Sequence, residues 1–305
     1  MIRFEGVFSV LPTPFHPNNE IDVASLQRVT ELFVKAGVNG FTALGVTSET
    51  DKLNEHERTV VLETIFKTVN SRVPIVVGAT AGGVATCVEN AKSAQNMGAG
   101  AVMVSPPRML KLNSDAVLGV YKALADAVDI PIVVQDYPPV SGFTMEPSLL
   151  ARIAAEIPRA RTIKLEDPPT PLKITRLRAL AKETDLKIFG GLGGVYLLEE
   201  LLAGGTGAMT GFAFPEILVE IVRTFNEGKV NDAAGVFYKY VPLMRFEFQE
   251  GIGMAIRKEM LRRRGVFTSA HVRSPGVQIE SATMKALDQL LGWYKQQGAL
   301  PWMPA

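Results

Sequence analysis

The sequence predicts a (β/α)8 barrel (a TIM barrel) followed by a C-terminal helical appendage. Three observations carry this. Eight short apolar runs rich in Val, Ile and Phe recur along the chain. A helix-length amphipathic segment follows each run. From about residue 229 the pattern is helical alone. Such short apolar runs fit strands buried on both faces, the habit of parallel sheet. Regular strand–helix alternation is the signature of an α/β protein. An open doubly wound sheet more often carries a Gly-x-Gly-x-x-Gly turn after its first strand. Here the first run leads into LPTPF (11–15), which has no glycine.

Taken in order, GVFSVLPT (6–13) is the first strand, followed by the helix DVASLQRVTELFVKAG (22–37). Leu26, Val29, Leu32 and Phe33 share one face of that helix, and Gly37 stops it. GFTALG (40–45) leads to NEHERTVVLETIFKTVN (54–70), where Asn54 and Glu57 have the spacing of a capping box. VPIVVGAT (73–80) precedes TCVENAKSAQNMGA (86–99), and GAVMVSPP (100–107) precedes SDAVLGVYKALADAV (114–128). IPIVVQDY (130–137) precedes EPSLLARIAAEI (146–157), and RTIKLED (161–167) precedes TPLKITRLRALAKET (170–184). LKIFGG (186–191) and GVYLLEELLAGG (194–205) form the seventh unit, GAMTGF (207–212) and PEILVEIVRTFNEG (215–228) the eighth. The tail holds three more helices, in VNDAAGVFYKYVPLMRF, GIGMAIRKEMLRRRG and SATMKALDQLLGWYKQQG. No linker separates the parts, so residues 1–228 are expected as barrel and 229–305 as helices packed on it. The densest basic patch, RKEMLRRRG (257–265), reads as the solvated face of a helix.

The bulk numbers narrow the function classes. The 305 residues are 47% hydrophobic, enough for a sizeable core. Net charge is +1, from 32 basic and 31 acidic residues, which gives no footprint for nucleic acid. The one cysteine, Cys87, permits no intrachain disulfide and suits a reducing compartment. The opening MIRFEGVFSVLPTPF has too short an apolar run for a signal peptide, and no uninterrupted stretch reaches the ~18 apolar residues of a membrane span. A cytoplasmic protein acting on a small molecule is the expectation. His16, His56 and His271 lie in unrelated segments, so neither a metal nor any other cofactor is expected.

In a barrel of this kind the chemistry stands at the C-terminal ends of strands. Lys164 lies in the sixth run, between Ile163 and Leu165. At a free pKa of ~10.4, about one lysine in 2,500 is neutral at pH 7, and a downward shift of ~3 units costs roughly 4 kcal/mol. Apolar burial can supply that, making the amine able to attack a carbonyl and form a Schiff base. A lysine paired to Glu166 or Asp167 at the rim fits the strand context equally. Tyr137 ends the neighbouring fifth run, where a phenol can move protons during imine chemistry or simply pack an aromatic face. The turn GVTSE (45–49) exposes backbone N–H groups beside Thr47 and Ser48, a nest suited to a carboxylate or an ordinary helix N-cap. Amine, phenol and nest together describe a pocket for a 2-oxo acid. GGLGG (190–194) reads either as a phosphate cradle or as glycine clearing space beside an imine. The second reading is preferred, because the run itself carries no Lys or Arg.

The chain resembles the dihydrodipicolinate synthase / N-acetylneuraminate lyase family of class I, Schiff-base-forming pyruvate aldolases. The resemblance runs through GVFSVLPTPF, GVTSETDKLNEHER, PIVVGAT, GAGAVMVSPP, IPIVVQDYP, IKLED and GGTGAMTG, in that order. It implies Lys164 as the Schiff-base lysine, Tyr137 as the acid/base phenol, and Thr47 with Ser48 as the pyruvyl carboxylate site. It also implies a homotetramer built as a dimer of dimers. The departures are as informative. Val46 stands where the family's turn usually carries a relay hydroxyl, and Ser48 replaces the turn's second glycine. Pro107 and Arg108 occupy the place of the synthase's tyrosine pair, and YPPVSG (137–142) lacks its carboxylate-binding arginine. The expectation is therefore a divergent lyase, an aldolase or dehydratase of another 2-oxo acid with pyruvate as the condensing or released unit. The synthase proper and a non-catalytic 2-oxo-acid sensor are the alternatives. Arg108 and Gly191 are further candidate substrate-binding residues, and Phe143, Phe212 and Phe214 candidates to line an apolar partner pocket.

Overall fold

The computed structural model describes residues 2–303. Met1, where the opening run begins, and Pro304 and Ala305, which end the expected helical region, lie outside the described residues. Eight parallel strands close into a barrel in chain order. They are β1 (Gly6–Val10), β2 (Gly40–Ala43), β3 (Ile75–Gly78), β4 (Ala101–Val104), β5 (Ile132–Asp136), β6 (Thr162–Leu165), β7 (Lys187–Gly190) and β8 (Gly207–Thr210). β1 joins β8 with Phe8 opposite Met209. The intervening helices are α1 (Val23–Lys35), α2 (Glu55–Val69), α3 (Val84–Asn96), α4 (Ser114–Ala127), α5 (Pro138–Ser141), α6 (Pro147–Glu156), α7 (Thr170–Leu180), α8 (Leu197–Leu202) and α9 (Pro215–Asn226). The tail adds α10 (Val230–Glu247), α11 (Gly253–Arg263) and α12 (Ser281–Gln296). The (β/α)8 reading holds strand by strand, and the Asn54–Glu57 capping box forms at the start of α2. No helix among the described residues is long and apolar enough to cross a membrane.

Side chains along each strand alternate between lumen and helix layer. Phe8, Val76, Ala101, Met103, Val133, Phe189 and Met209 form one cluster inside the ring, with Phe4 below it. Phe8 and Phe189 meet edge to face at 5.3 Å. This plug fills the lower lumen, so polar groups can collect only at the C-terminal mouth.

The tail closes over that mouth. Tyr240 and Tyr294 stack at 5.7 Å and tie α10 to α12. The basic patch at 257–265 departs from the solvated face expected of it. Arg257, Lys258 and Arg264 are buried. They pair with Glu247, Glu49 and Glu216 respectively, and Lys258 also stands 4.4 Å from the Phe15 ring centre. Only the Arg262–Arg263 side, bonded to Glu259 and Asp288, meets solvent. Burial pushes the Lys258 ammonium down to about 8, against the pull of Glu49. The patch is basic because it faces buried acids, a relation that one segment's charge pattern does not carry.

Candidate active site

β6 carries the central group. Lys164 pairs in register with Gln135 on β5 and Phe189 on β7, and it points into the lumen with only 3% of its surface exposed. Ile163 and Leu165 do not surround it: they turn outward into the helix-layer core. Their strand period of two places them on the other face, which corrects the expectation that they desolvate the amine. The lumen does so instead. Glu166, the next inward residue, sets a carboxylate oxygen 3.1 Å from the Lys164 nitrogen. Gln135 donates to the same oxygen at 2.9 Å. Asp167, the other partner considered for the lysine, bonds Lys173 at 2.7 Å. The sequence reading treated burial and ion pairing of Lys164 as competing states. The structure combines them, because residues two apart on a strand share a face.

Gly191 explains how Glu166 fits. A Cβ at Gly191 would lie 2.4 Å from the Glu166 Cγ and 2.5 Å from its Oε1. The glycine after β7 thus clears space beside the lysine, as preferred above, but for a carboxylate neighbour. Tyr137 follows β5 directly and caps the short α5, which Pro138 opens. Two residues beyond Gln135, it stands in the layer of Glu166. Burial holds its phenol above the ordinary range, and the charges of Glu166 and Glu250 push the same way. Arg108 is exposed, and its Nε would stand 3.3 Å from a Cβ at Gly142 in the loop after β5. It therefore belongs to the outer wall of the mouth. Phe212 and Phe214 are fully buried in the core and Phe143 packs against it, so none of them forms an open aromatic pocket.

The turn after β2 is a single 3-10 turn, Val46–Ser48, closed by the Ser48 N–H on the Gly45 carbonyl at 2.9 Å. Such a turn leaves its first N–H groups, here Val46 and Thr47, without intrahelical acceptors. Ser48 is buried and bonded within the protein. Its hydroxyl donates to the Leu11 carbonyl at 2.5 Å and accepts from the Gly45 N–H at 3.2 Å. Its carbonyl accepts from the Thr13 hydroxyl at 2.7 Å. Ser48 braces the turn against β1, whereas the buried Thr47 hydroxyl makes no hydrogen bond among the described residues. β2 and β6 are four strands apart in a ring of eight, so the turn that carries Thr47 lies across the mouth from β6. A surface depression lies at the other end of the barrel, among Arg3, Asn39, Arg72 and Arg223, remote from these groups.

A closed barrel with this arrangement at the C-terminal ends of its strands defines a lyase of the class I, Schiff-base-forming type acting on 2-oxo acids. Residues 3–293 match the profile of the dihydrodipicolinate synthetase family. The chain belongs to that family. It is 32% identical over 288 residues to L-2-keto-3-deoxyarabonate dehydratase of Azospirillum brasilense, covering 93% of each chain. It is 30% identical to 4-hydroxy-tetrahydrodipicolinate synthase of Thermotoga petrophila, over 97% of this chain and 100% of that one. Among solved structures, dihydrodipicolinate synthase from Rhodopseudomonas palustris superimposes with a TM-score of 0.88 at 33% identity, over 94% of this chain and 97% of that one. Sequence reasoning anticipated the family, and placed Glu166 only as one of two ion-pair alternatives for Lys164. The signal available was the strand spacing of Lys164 and Glu166.

Proposed function

We propose that this protein dehydrates a 4-hydroxy-2-oxo acid of the 3-deoxy sugar-acid kind through an imine on Lys164. The observation that carries the reading is the buried Lys164–Glu166 pair at 3.1 Å. A nucleophilic amine needs a nearby proton acceptor, and an elimination needs a base that later returns the proton. Glu166 is placed for both. It takes a proton from the Lys164 ammonium, and the amine adds to C2 of the substrate. Tyr137 relays a proton from nitrogen to the new oxygen. Protonated Glu166 then releases that oxygen as water, leaving an iminium and a carboxylate. The carboxylate next removes a C3 proton to give the enamine, and gives it to the C4 hydroxyl, which leaves as a second water. Hydrolysis of the conjugated iminium frees Lys164. No external oxidant or metal enters this sequence.

Thr47 takes the C1 carboxylate in this reading, Ser48 holds the turn, and Gly191 makes room for Glu166. Arg108 lies where the distal hydroxyls of a longer substrate would extend. The Azospirillum relative named as a dehydratase supports the reaction class. The missing arginine in 137–142 speaks against the synthase proper. Retention of lysine, carboxylate and phenol together speaks against a sensor without turnover. The barrel at 1–228 and the helices at 229–305 act as one unit here, because α11 reaches the mouth. A dimer of dimers is part of the proposal, supported by the projecting Leu110, 97% exposed in the loop after β4. A cytoplasmic site of action is supported by the single, buried, unpaired Cys87.

The test is reductive trapping. With pyruvate and borohydride, intact mass should rise by one reduced adduct, mapped to Lys164. Lys164→Ala should show none and should not turn over any 4-hydroxy-2-oxo acid. An adduct elsewhere, or turnover in Lys164→Ala, sinks the proposal.

A further inference from the structure

We propose that Arg257, carried over the barrel mouth by α11, is an anion-anchoring residue that grips the substrate carboxylate together with Thr47. The inference rests on the imine reading above for its place in the site, but not for its chemistry. Arg257 is only 4% exposed. Its Nε donates to Glu247 at 2.5 Å, while its NH1 group is buried and makes no hydrogen bond among the described residues. Leaving a buried guanidinium nitrogen unbonded is costly, so its orientation calls for an acceptor. Glu247 does not serve NH1: one of its oxygens accepts from the Arg257 Nε and the other from the Ala213 N–H at 2.9 Å.

Gly211 shows where NH1 points. It stands two residues beyond Met209, on the lumen phase of β8. A Cβ there would meet Arg257 NH1 at 2.2 Å and the Thr47 hydroxyl at 3.0 Å. Arg257 NH1 and the Thr47 hydroxyl, two buried donors without hydrogen-bond partners among the described residues, thus flank one point beside Gly211, and the absent Cβ is what lets NH1 sit there. Glu247 fixes the guanidinium from behind, so its free edge is pre-oriented. A C2 imine on Lys164 necessarily carries a carboxylate on the adjoining carbon. Arg257 NH1, the Thr47 hydroxyl and the Thr47 N–H form a donor set for that group, on the wall opposite β6. Arg–carboxylate contacts of this kind are charge-assisted and geometrically selective.

The experiment compares a charged ligand with its neutral counterpart. Wild-type protein is trapped with borohydride against rising pyruvate or pyruvamide, and the concentration for half-labelling is read by intact mass. Arg257→Gln should raise that concentration for pyruvate by roughly 10- to 100-fold and for pyruvamide far less. Thr47→Val should move in the same direction by less. Because Gln at 257 strands the Glu247 charge, the paired variant Arg257→Gln/Glu247→Gln is run beside it. A merely structural arginine would lower capture of both ligands together, and that result, or an unchanged preference in the paired variant, overturns the proposal. A second arm uses lactate, which cannot form an imine. Lactate should raise the melting temperature of wild type and of Lys164→Ala but not of the Arg257 variants. Absence of that shift in wild type also overturns the anchor. A lactate shift without any pyruvate adduct would instead reject the imine reading and leave the anchor standing.

Discussion

Glu166→Gln isolates the group on which the proposed chemistry turns. The substitution preserves shape, and the new amide oxygen can still accept from Gln135, which now bonds the carboxylate at 2.9 Å. It removes a negative charge 3.1 Å from the Lys164 nitrogen. At an effective dielectric of ~20, that pair is worth about 5 kcal/mol of Coulomb energy as an upper limit. It also removes the carboxylate bonded to the lysine, and loss of a positioned general base costs about 10²–10⁴ in rate. Turnover of a 4-hydroxy-2-oxo acid should therefore fall by about two to four orders of magnitude. Endpoint trapping by saturating pyruvate should persist, because imine formation over hours tolerates a slow proton acceptor. Coupled measurement of turnover, adduct mass and melting temperature separates the possibilities. Turnover within about threefold of wild type, in a variant that still melts cooperatively, would refute the assignment of Glu166 as acid and base. Equal loss of adduct and turnover would make it a structural partner of Lys164.

The remaining predictions use Tyr137 and Glu200. Tyr137→Phe should lower turnover by about 10²-fold or more while changing pyruvate capture by much less, since a phenol kept neutral by burial and by Glu166 acts during proton transfer; steady-state kinetics beside trapping reads this, and a pure rise in KM would contradict it. Glu200 accepts from the Thr170 hydroxyl at 2.6 Å, and burial pushes its carboxyl up to about 8 from an ordinary 4.5. Because the folded value is the higher one, this group's stabilising contribution is full below about 4.5 and is lost as pH rises to about 8. Glu200→Gln should keep the Thr170 bond and flatten that fall, gaining at most ~5 kcal/mol relative to wild type at pH 8; denaturant unfolding at pH 5.5 and 8 checks it, and an unchanged pH slope would count against a neutral Glu200.

The strands and most helices were legible because their signals are local. A buried parallel strand announces itself by continuous apolar residues, and the Asn54–Glu57 cap by spacing alone. Lys164 and Tyr137 were legible for a related reason: each interrupts or ends an apolar run at a place where this fold puts chemistry. What Lys164 touches was less so. Its sequence neighbours Ile163 and Leu165 face the helices, and its true surroundings come from β5 and β7, which lie tens of residues away. The Ser48 hydroxyl was less legible because its type suits both a ligand donor and a turn brace, and its bond to the Leu11 carbonyl comes from a strand far away in sequence.

The buried charges of α11 show the limit most sharply. A run of Arg and Lys reads as solvated unless acids elsewhere are known to converge on it. Glu49 comes from the turn after β2 and Glu216 from α9, both far from α11 in sequence, and Glu247 lies at the end of α10, ten residues before Arg257 and across the break between two helices. Burying such ions costs several kcal/mol each before their partners repay it. Hydrophobic residues of similar size would hold α11 on the barrel at least as well. A helix kept in place by oriented guanidinium and ammonium groups, rather than by Leu and Ile, has its geometry fixed at the level of single donor atoms. That is more than docking requires, and it is what a carboxylate-gripping Arg257 over the mouth would require.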